Sequence, residues 1–158
     1  MRIRLDAVSR FSNAASSLGL QIDPQRFPDG TRTAEDAARA VGCDLGQIVK
    51  SLVFVAGSNP VIILTSGTNR VDTAAVGRIL KSEQIRRADA NEARAATGYA
   101  VGGTPPFGYP APLMVLMDRD LLLHSRVWAA AGTPDTVFEI DPSELLKASG
   151  AQVADIKE

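Results

Sequence analysis

Two uninterrupted apolar runs, Ser51-Leu-Val-Phe-Val-Ala56 and Val61-Ile-Ile-Leu-Thr-Ser66, restrict the fold more than any other feature of the chain. Both are rich in β-branched residues, and only Gly57-Ser-Asn-Pro60 separates them. A strand turns successive side chains to opposite faces, so one that is apolar at nearly every position has both faces covered. The pair predicts a hairpin buried on both sides, and the rest of the chain must supply the covers.

The flanking segments read as helices and short strands. Leu5, Val8, Phe11, Ala15 and Leu18 recur at helical spacing and stop at Gly19. Residues 21–31 carry two prolines and Asp29-Gly30, which predicts a loop or a short strand. Thr33 caps a helix whose apolar face is Ala34, Ala37, Ala38 and Val41, ending at Gly42. Leu45, Ile48 and Val49 predict one more helical turn before Lys50. Further helices are expected from Asp72 to Leu80, from Asp89 (with Glu92 in the first turn) to Gly98, and from Asp141-Pro142 to Gly150. Pro112 to Met117 and Val137 to Ile140 read as strands. No regular βαβα alternation exists, so the expectation is a single mixed α+β domain over residues 1–158.

Composition narrows the function. The 158 residues carry 17 basic and 18 acidic side chains. That argues against duplex DNA as a partner, because such binding rests on many phosphate contacts. A local basic patch for one RNA end is still open, with Arg70, Arg78, Lys81, Arg86 and Arg87 as candidates. Cys43 and His124 are the only cysteine and histidine. With so few soft ligands no metal or other cofactor is expected. The first residues are too polar for a signal peptide, and no apolar run approaches the ~20 residues of a membrane span. A cytoplasmic location without membrane partners is the default.

Three segments carry chemistry. Tyr99 to Pro112 packs three glycines and four prolines into fourteen residues. Such a stretch is shaped and stiff: either a rigid connection, or a binding loop aiming amides at a ligand. Lys50 enters an apolar strand, where a lysine must snorkel outward or face a polar cleft. Thr65-Ser-Gly-Thr-Asn-Arg70, followed by Asp72, is a polar turn at a strand end, either a ligand contact or an ordinary connection. Other ideas fail. His124 and Ser125 are neighbours whose side chains diverge, Cys43 has no histidine partner, and Gly102-Gly103 lacks the Gly-Lys-Ser/Thr ending of a phosphate loop.

Thr31-Arg-Thr-Ala-Glu-Asp-Ala-Ala38, Gln47-Ile-Val-Lys-Ser-Leu-Val-Phe54, Ser66-Gly-Thr-Asn-Arg-Val-Asp72, Gly102-Gly-Thr-Pro-Pro-Phe-Gly108 and Ala131-Gly132 with Phe138 together resemble the YbaK/prolyl-tRNA editing family. These are free-standing aminoacyl-tRNA deacylases related to the insertion domain of bacterial prolyl-tRNA synthetases. The resemblance implies a strongly curved, barrel-like mixed sheet surrounded by helices. It implies metal-free hydrolysis of the ester joining a small amino acid to a tRNA 3′ end, on tRNA for proline or alanine, with a synthetase as a further partner. It carries a catalytic role to Lys50, Gly102 and Gly103, with the substrate's own 2′-hydroxyl helping to activate water. Substrate contacts are expected from Thr31, Ser66, Gly67, Asn69, Asp72, Thr104, Pro105, Pro106, Gly108, Tyr109 and Gly132. Tyr109 stands where relatives are expected to have histidine. That departure keeps an alternative open, a non-catalytic module that binds tRNA ends or a synthetase.

Overall fold

The computed structural model describes residues 6–158. After a two-residue β1 (Gln25–Arg26), the expected hairpin forms from β2 (Val49–Ala56) and β3 (Asn59–Ser66). The two strands are antiparallel, with Lys50 opposite Thr65 and Phe54 opposite Val61. Along β3 the side chains divide by alternation. Ile62 and Leu64 enter a large core, while Val61 and Ile63 enter a second one on the opposite face. The hairpin is thus covered on both sides.

Those covers follow from the caps read in the sequence. Helix α1 (Ala7–Ser17) starts at Asp6, whose carboxylate accepts from the Ser9 N–H, and it buries Phe11 and Ala15. Leu5 lies outside the described residues. Helix α2 (Ala34–Val41) is capped by Thr33 and closed by Gly42 in the left-handed region. A 3-10 turn at Leu45–Gln47 replaces the expected helical turn. Helix α3 (Thr73–Leu80) packs Val76 into the second core, with Phe54 and Ile63. After β4 (Ile85–Arg87) come α4 (Ala90–Thr97), then β5 (Met114–Asp118), β6 (Val127–Ala130), β7 (Thr136–Ile140), α5 (Pro142–Ser149) and β8 (Gln152–Ala154).

The strands form two sheets, one ordered β4-β2-β3-β5-β8 and the other β1-β7-β6. In the first, β2 pairs antiparallel with β3 and β4, whereas β5 runs parallel to β3 and β8 parallel to β5. Neither sheet closes, so the barrel expected from the resemblance is replaced by two open sheets. The physical reason lies on one edge of β2. Strand β4 pairs only with its far end, Phe54 to Ala56, and β6 forms no ladder with it, only the Trp128 bridge to Ile48, the residue before β2. A barrel needs a continuous ladder. Between those two contacts the edge opens into a gap.

Burial of α1 also fixes the glycine-proline loop. Phe11 packs on Phe107 (ring centroids 4.9 Å apart) and on Phe138 (5.0 Å), and Phe107 meets Phe138 edge-on at 6.1 Å. Arg10 adds a hydrogen bond to the Gly98 carbonyl and lies 4.7 Å above the Tyr99 ring. Helix, loop and β7 are thereby one packed unit.

The start of α4 carries an ion pair with a pH signature. Glu92 accepts both guanidinium nitrogens of Arg86 (2.8 and 2.7 Å) and the Asp89 N–H, while Asp89 accepts from the Glu92 N–H. The Arg86 hydrogen bonds, followed by the Asp89 N–H, hold the Glu92 carboxyl down at about 2, against 4.5 ordinarily. A depressed carboxyl stabilises the fold above its unfolded value, and that contribution is lost as pH falls through the folded one. Glu92→Gln should therefore lower the thermal midpoint at pH 7, and the gap to wild type should close between pH 4.5 and about 2. Thermal melts of both proteins across that range test it; a gap constant with pH would show that the charge is irrelevant.

Candidate active site

The gap beside β2 is a cleft of about 290 Å³. Its floor is the β2 edge from Ile48 to Val53, and its walls are Ala129 and Ala130 of β6, Val137 of β7, Ala34 and Ala37 of α2, and Ala93 of α4. Its exposed lining residues are Arg32, Thr33, Arg87, and Val101 and Gly102 of the glycine-proline loop, while the lining threonines Thr31 and Thr104 are buried. Aliphatic depth with a cationic, amide-bearing rim is the arrangement of a small-ligand site.

Lys50 borders this cleft, and its Nζ donates to the Asn69 carbonyl at 2.7 Å. Burial is the main cause of a lowered Lys50 pKa, with Glu35 opposing it and Arg70 and Arg87 reinforcing it. Asn69 is itself pinned: its amide donates to Asp118 at 2.8 Å and to Asp120 at 2.9 Å. Asp118, buried at the end of β5, also accepts from the Ser66 N–H at 3.0 Å, and Asp120 pairs with Lys157 at 2.8 Å. Ser66 donates its hydroxyl to the Gly46 carbonyl. The turn after β3 is therefore a bracket behind Lys50. Ser66, Gly67, Asn69 and Asp72, expected as substrate contacts, do not line the cleft; Asp72 caps α3, and Gly67 sits against the Leu45 carbonyl.

The glycine-proline loop also divides its labour. Gly102 lines the cleft at φ +89°, with only Pro134 carbons, at 3.7 Å, near where a Cβ would stand. Among the described residues no backbone carbonyl accepts from its N–H. Gly103, expected as a second amide donor, instead turns its N–H to the Ala100 carbonyl at 3.0 Å and packs against Gly132 and Thr133. Pro105, Pro106, Gly108 and Gly132 are likewise away from the cleft lining; Gly132 holds φ +117° against the Ala7 carbonyl. Tyr109 donates its hydroxyl to the Pro105 carbonyl at 2.7 Å, and burial pushes its phenol pKa far up. This tyrosine braces the loop from within.

Of the five basic residues considered as RNA contacts, Arg87 alone lines the cleft, with its guanidinium 5.5 Å above the Phe54 ring. Arg86 is engaged by Glu92, while Arg78 and Lys81 belong to α3 and its C-cap. Arg32 escaped the sequence reading because it sits among polar loop residues with no pattern of its own. Asp118 had a weak signal, an acid ending the apolar run Met114 to Met117. Among the described residues no three His, Cys, Asp or Glu side chains gather as a metal site, and no helix is long and apolar enough to cross a membrane.

The profile of the aminoacyl-tRNA editing domain matches residues 28–148. The chain belongs to the aminoacyl-tRNA editing domain family. Among solved structures, one described as a candidate trans-editing enzyme for prolyl-tRNA synthetase superposes with a TM-score of 0.92 at 43% identity, covering 99% of each chain. The uncharacterised protein YwhH of Bacillus subtilis is 30% identical over 132 residues, 83% of each chain. A protein of Enterococcus faecalis named as a candidate Cys-tRNA(Pro)/Cys-tRNA(Cys) deacylase is 25% identical over 125 residues, 78% of this chain and 76% of its own. The matched region includes the whole cleft floor, the Lys50 bracket as far as Asp120, and the glycine-proline loop.

Proposed function

We propose that the chain is one trans-editing domain that hydrolyses the ester between a small amino acid and the 3′ end of tRNA for proline or alanine, without a metal. One observation carries this reading: Lys50, Gly102 and two rim arginines converge on a single cleft with a small aliphatic interior. The amino acid side chain enters the cleft, and the terminal ribose and its phosphate stay at the cationic rim. Lys50 and the arginines hold that end by charge.

In the reaction, water adds to the ester carbonyl carbon, the bond from that carbon to the ribose 3′-oxygen breaks, and the proton passes to the leaving alcohol. The Gly102 N–H faces the oxyanion that forms during the addition; one such donor is worth on the order of 3 kcal/mol. Among the described residues no histidine or carboxylate lines the cleft as a general base, which agrees with a substrate 2′-hydroxyl that orients the water. An aminoacyl ester is already reactive, so positioning supplies much of the remaining acceleration. Tyr109, braced inside the glycine-proline loop, fits a part in shaping the site. A synthetase partner would receive the corrected tRNA.

A screen of tRNA for proline and for alanine charged with alanine, serine and cysteine tests the reading, with chelator added in parallel. Release of free amino acid over many turnovers, unchanged by chelator, is expected. Stoichiometric binding without release would instead support the binding module, and zinc-restorable loss on chelation would overturn the metal-free mechanism. Replacing Arg32 and Arg87 together with alanine should raise KM several-fold and leave kcat nearly unchanged. It should also flatten the salt dependence of kcat/KM, because two fewer cations then meet phosphate. An unaltered salt dependence would remove both arginines from tRNA binding.

A further inference from the structure

The bracket behind Lys50 does not end at Asn69. One Asp120 oxygen, Oδ2, accepts from the Asn69 amide at 2.9 Å and from the Lys157 ammonium at 2.8 Å. Asp118 accepts from the same Asn69 nitrogen at 2.8 Å, and its other oxygen accepts from the Asp120 N–H at 3.0 Å. Two carboxylates thus converge on one amide nitrogen, and like charges this close repel each other. Asp118 is buried, whereas the Asp120 side chain is partly exposed and has a path to water. Lys157 opposes that escape. Its ion pair, followed by the Asn69 amide, holds the Asp120 carboxyl below its usual range.

Lys157 is itself placed by backbone. It forms an antiparallel bridge with Val71, the Ile156 carbonyl accepts from the Asp72 N–H at 2.7 Å, and the Glu158 N–H donates to the Arg70 carbonyl at 2.9 Å. Ile156 is fully buried in the second core, with Phe54 and Val76. The segment Ile156-Lys157-Glu158 is therefore strapped along Arg70 to Asp72, directly after the carbonyl to which Lys50 donates. Lys157 does not line the cleft.

We propose that Lys157 is a positioning residue for Lys50: by holding Asp120 against the Asn69 amide, it fixes the turn whose carbonyl anchors the Lys50 ammonium. Its effect on rate rests on the deacylase reading above; its effect on the placement of Lys50 does not. Without Lys157, Asp120 turns outward and Asn69 keeps only its Asp118 partner. The carbonyl that Lys50 follows then loses its fixed place, and small misplacements at a reacting centre are costly.

The test uses tRNA for proline charged with alanine, and compares wild type with Lys157→Ala, Lys157→Arg, Asn69→Ala and the variant carrying both alanines. Lys157→Ala should lower kcat about 5-fold, keep KM within about 2-fold, and move the midpoint by no more than about 2–4 °C, since a half-exposed ion pair contributes little to the fold. Lys157→Arg still donates to Asp120 and should restore kcat to within about 2-fold. Asn69→Ala keeps the carbonyl but loses the brace, and should cost about 10-fold in kcat; adding Lys157→Ala should cost less than about 2-fold more, because Lys157 acts through Asn69. In protein carrying isotope-labelled lysine, the Lys50 ammonium resonance, identified by its loss in Lys50→Ala, should exchange faster with water in Lys157→Ala and in Asn69→Ala. An unchanged kcat in Lys157→Ala would overturn the proposal, and a raised KM alongside it would make the lysine a tRNA contact instead. Losses that multiply in the double variant, or an unmoved Lys50 resonance, would overturn it as well. Wild type inactive on the ester, with the resonance responding as expected, would sink the deacylase reading and leave Lys157 as the anchor of Lys50.

Discussion

Lys50→Ala is expected to reduce kcat/KM for aminoacyl ester hydrolysis by at least about 100-fold while shifting the thermal midpoint by only a few degrees. The asymmetry follows from how the lysine is held. Its hydrogen bond to the Asn69 carbonyl stabilises the fold, but burial disfavours the same ammonium, and the alanine variant loses both effects together. The pH sign is consistent with this. Burial lowers the folded pKa below 10.5, so the unfavourable contribution of the charged form is present throughout the neutral range and fades as pH rises through the folded value toward 10.5. For catalysis nothing offsets the loss, since the rim arginines are exposed cations whereas Lys50 is fixed by the Asp118–Asn69 bracket. Lys50→Arg should recover only part of the rate, because a forked guanidinium cannot occupy a position shaped for one ammonium. Single-turnover deacylation alongside thermal melts measures both quantities. Activity within about 10-fold of wild type would exclude Lys50 from the reaction.

Local chemistry was legible in the sequence, and non-local geometry was not. The buried hairpin, the caps at Thr33, Asp72, Asp89 and Asp141, and the stops at Gly42, Gly98 and Gly150 are written in short windows, and each appears where expected. Strands β4 and β6 carry no such mark. Ile85-Arg-Arg87 is largely exposed and becomes a strand only because the end of β2 offers it a ladder, and Val127 to Ala130 is a short apolar stretch that pairs only with the distant β7. The cleft depends on both of these, because it is the stretch of β2 that neither neighbour covers. Residue type thus pointed to Lys50 and Gly102, while Arg32 and Asp118 take their places only from that gap and from the bracket behind it. The same non-local pairing explains why Ser66, Asn69 and Gly103 support the cleft from outside its lining.

Gly103→Ala should be the most damaging small substitution in the loop, and comparison with Gly102→Ala separates its cause. A Cβ at Gly103 would stand 2.7 Å from the Gly132 carbonyl oxygen and 2.7 Å from Thr133 Cα. Both are backbone atoms of a turn that is itself wedged against the Ala7 carbonyl, so no flexible side chain can yield. The loop must lift, breaking the close contact that seats it; overpacking of this kind costs about 3 kcal/mol, or roughly 6–12 °C in the midpoint of a chain this size. Lifting also moves the adjacent Gly102 amide, the proposed oxyanion donor, and a displacement near 1 Å is worth about 100-fold in rate. At Gly102 the added carbon meets only Pro134 at 3.7 Å, ordinary contact, so the cost there is the left-handed backbone alone, about 1–2 kcal/mol. Gly103→Ala should therefore lose both stability and kcat, although its own amide is turned to the Ala100 carbonyl, and Gly102→Ala should lose less of both. Melts and single-turnover rates decide between the two accounts: a Gly103→Ala protein as stable as wild type but inactive would return Gly103 to the role of direct amide donor.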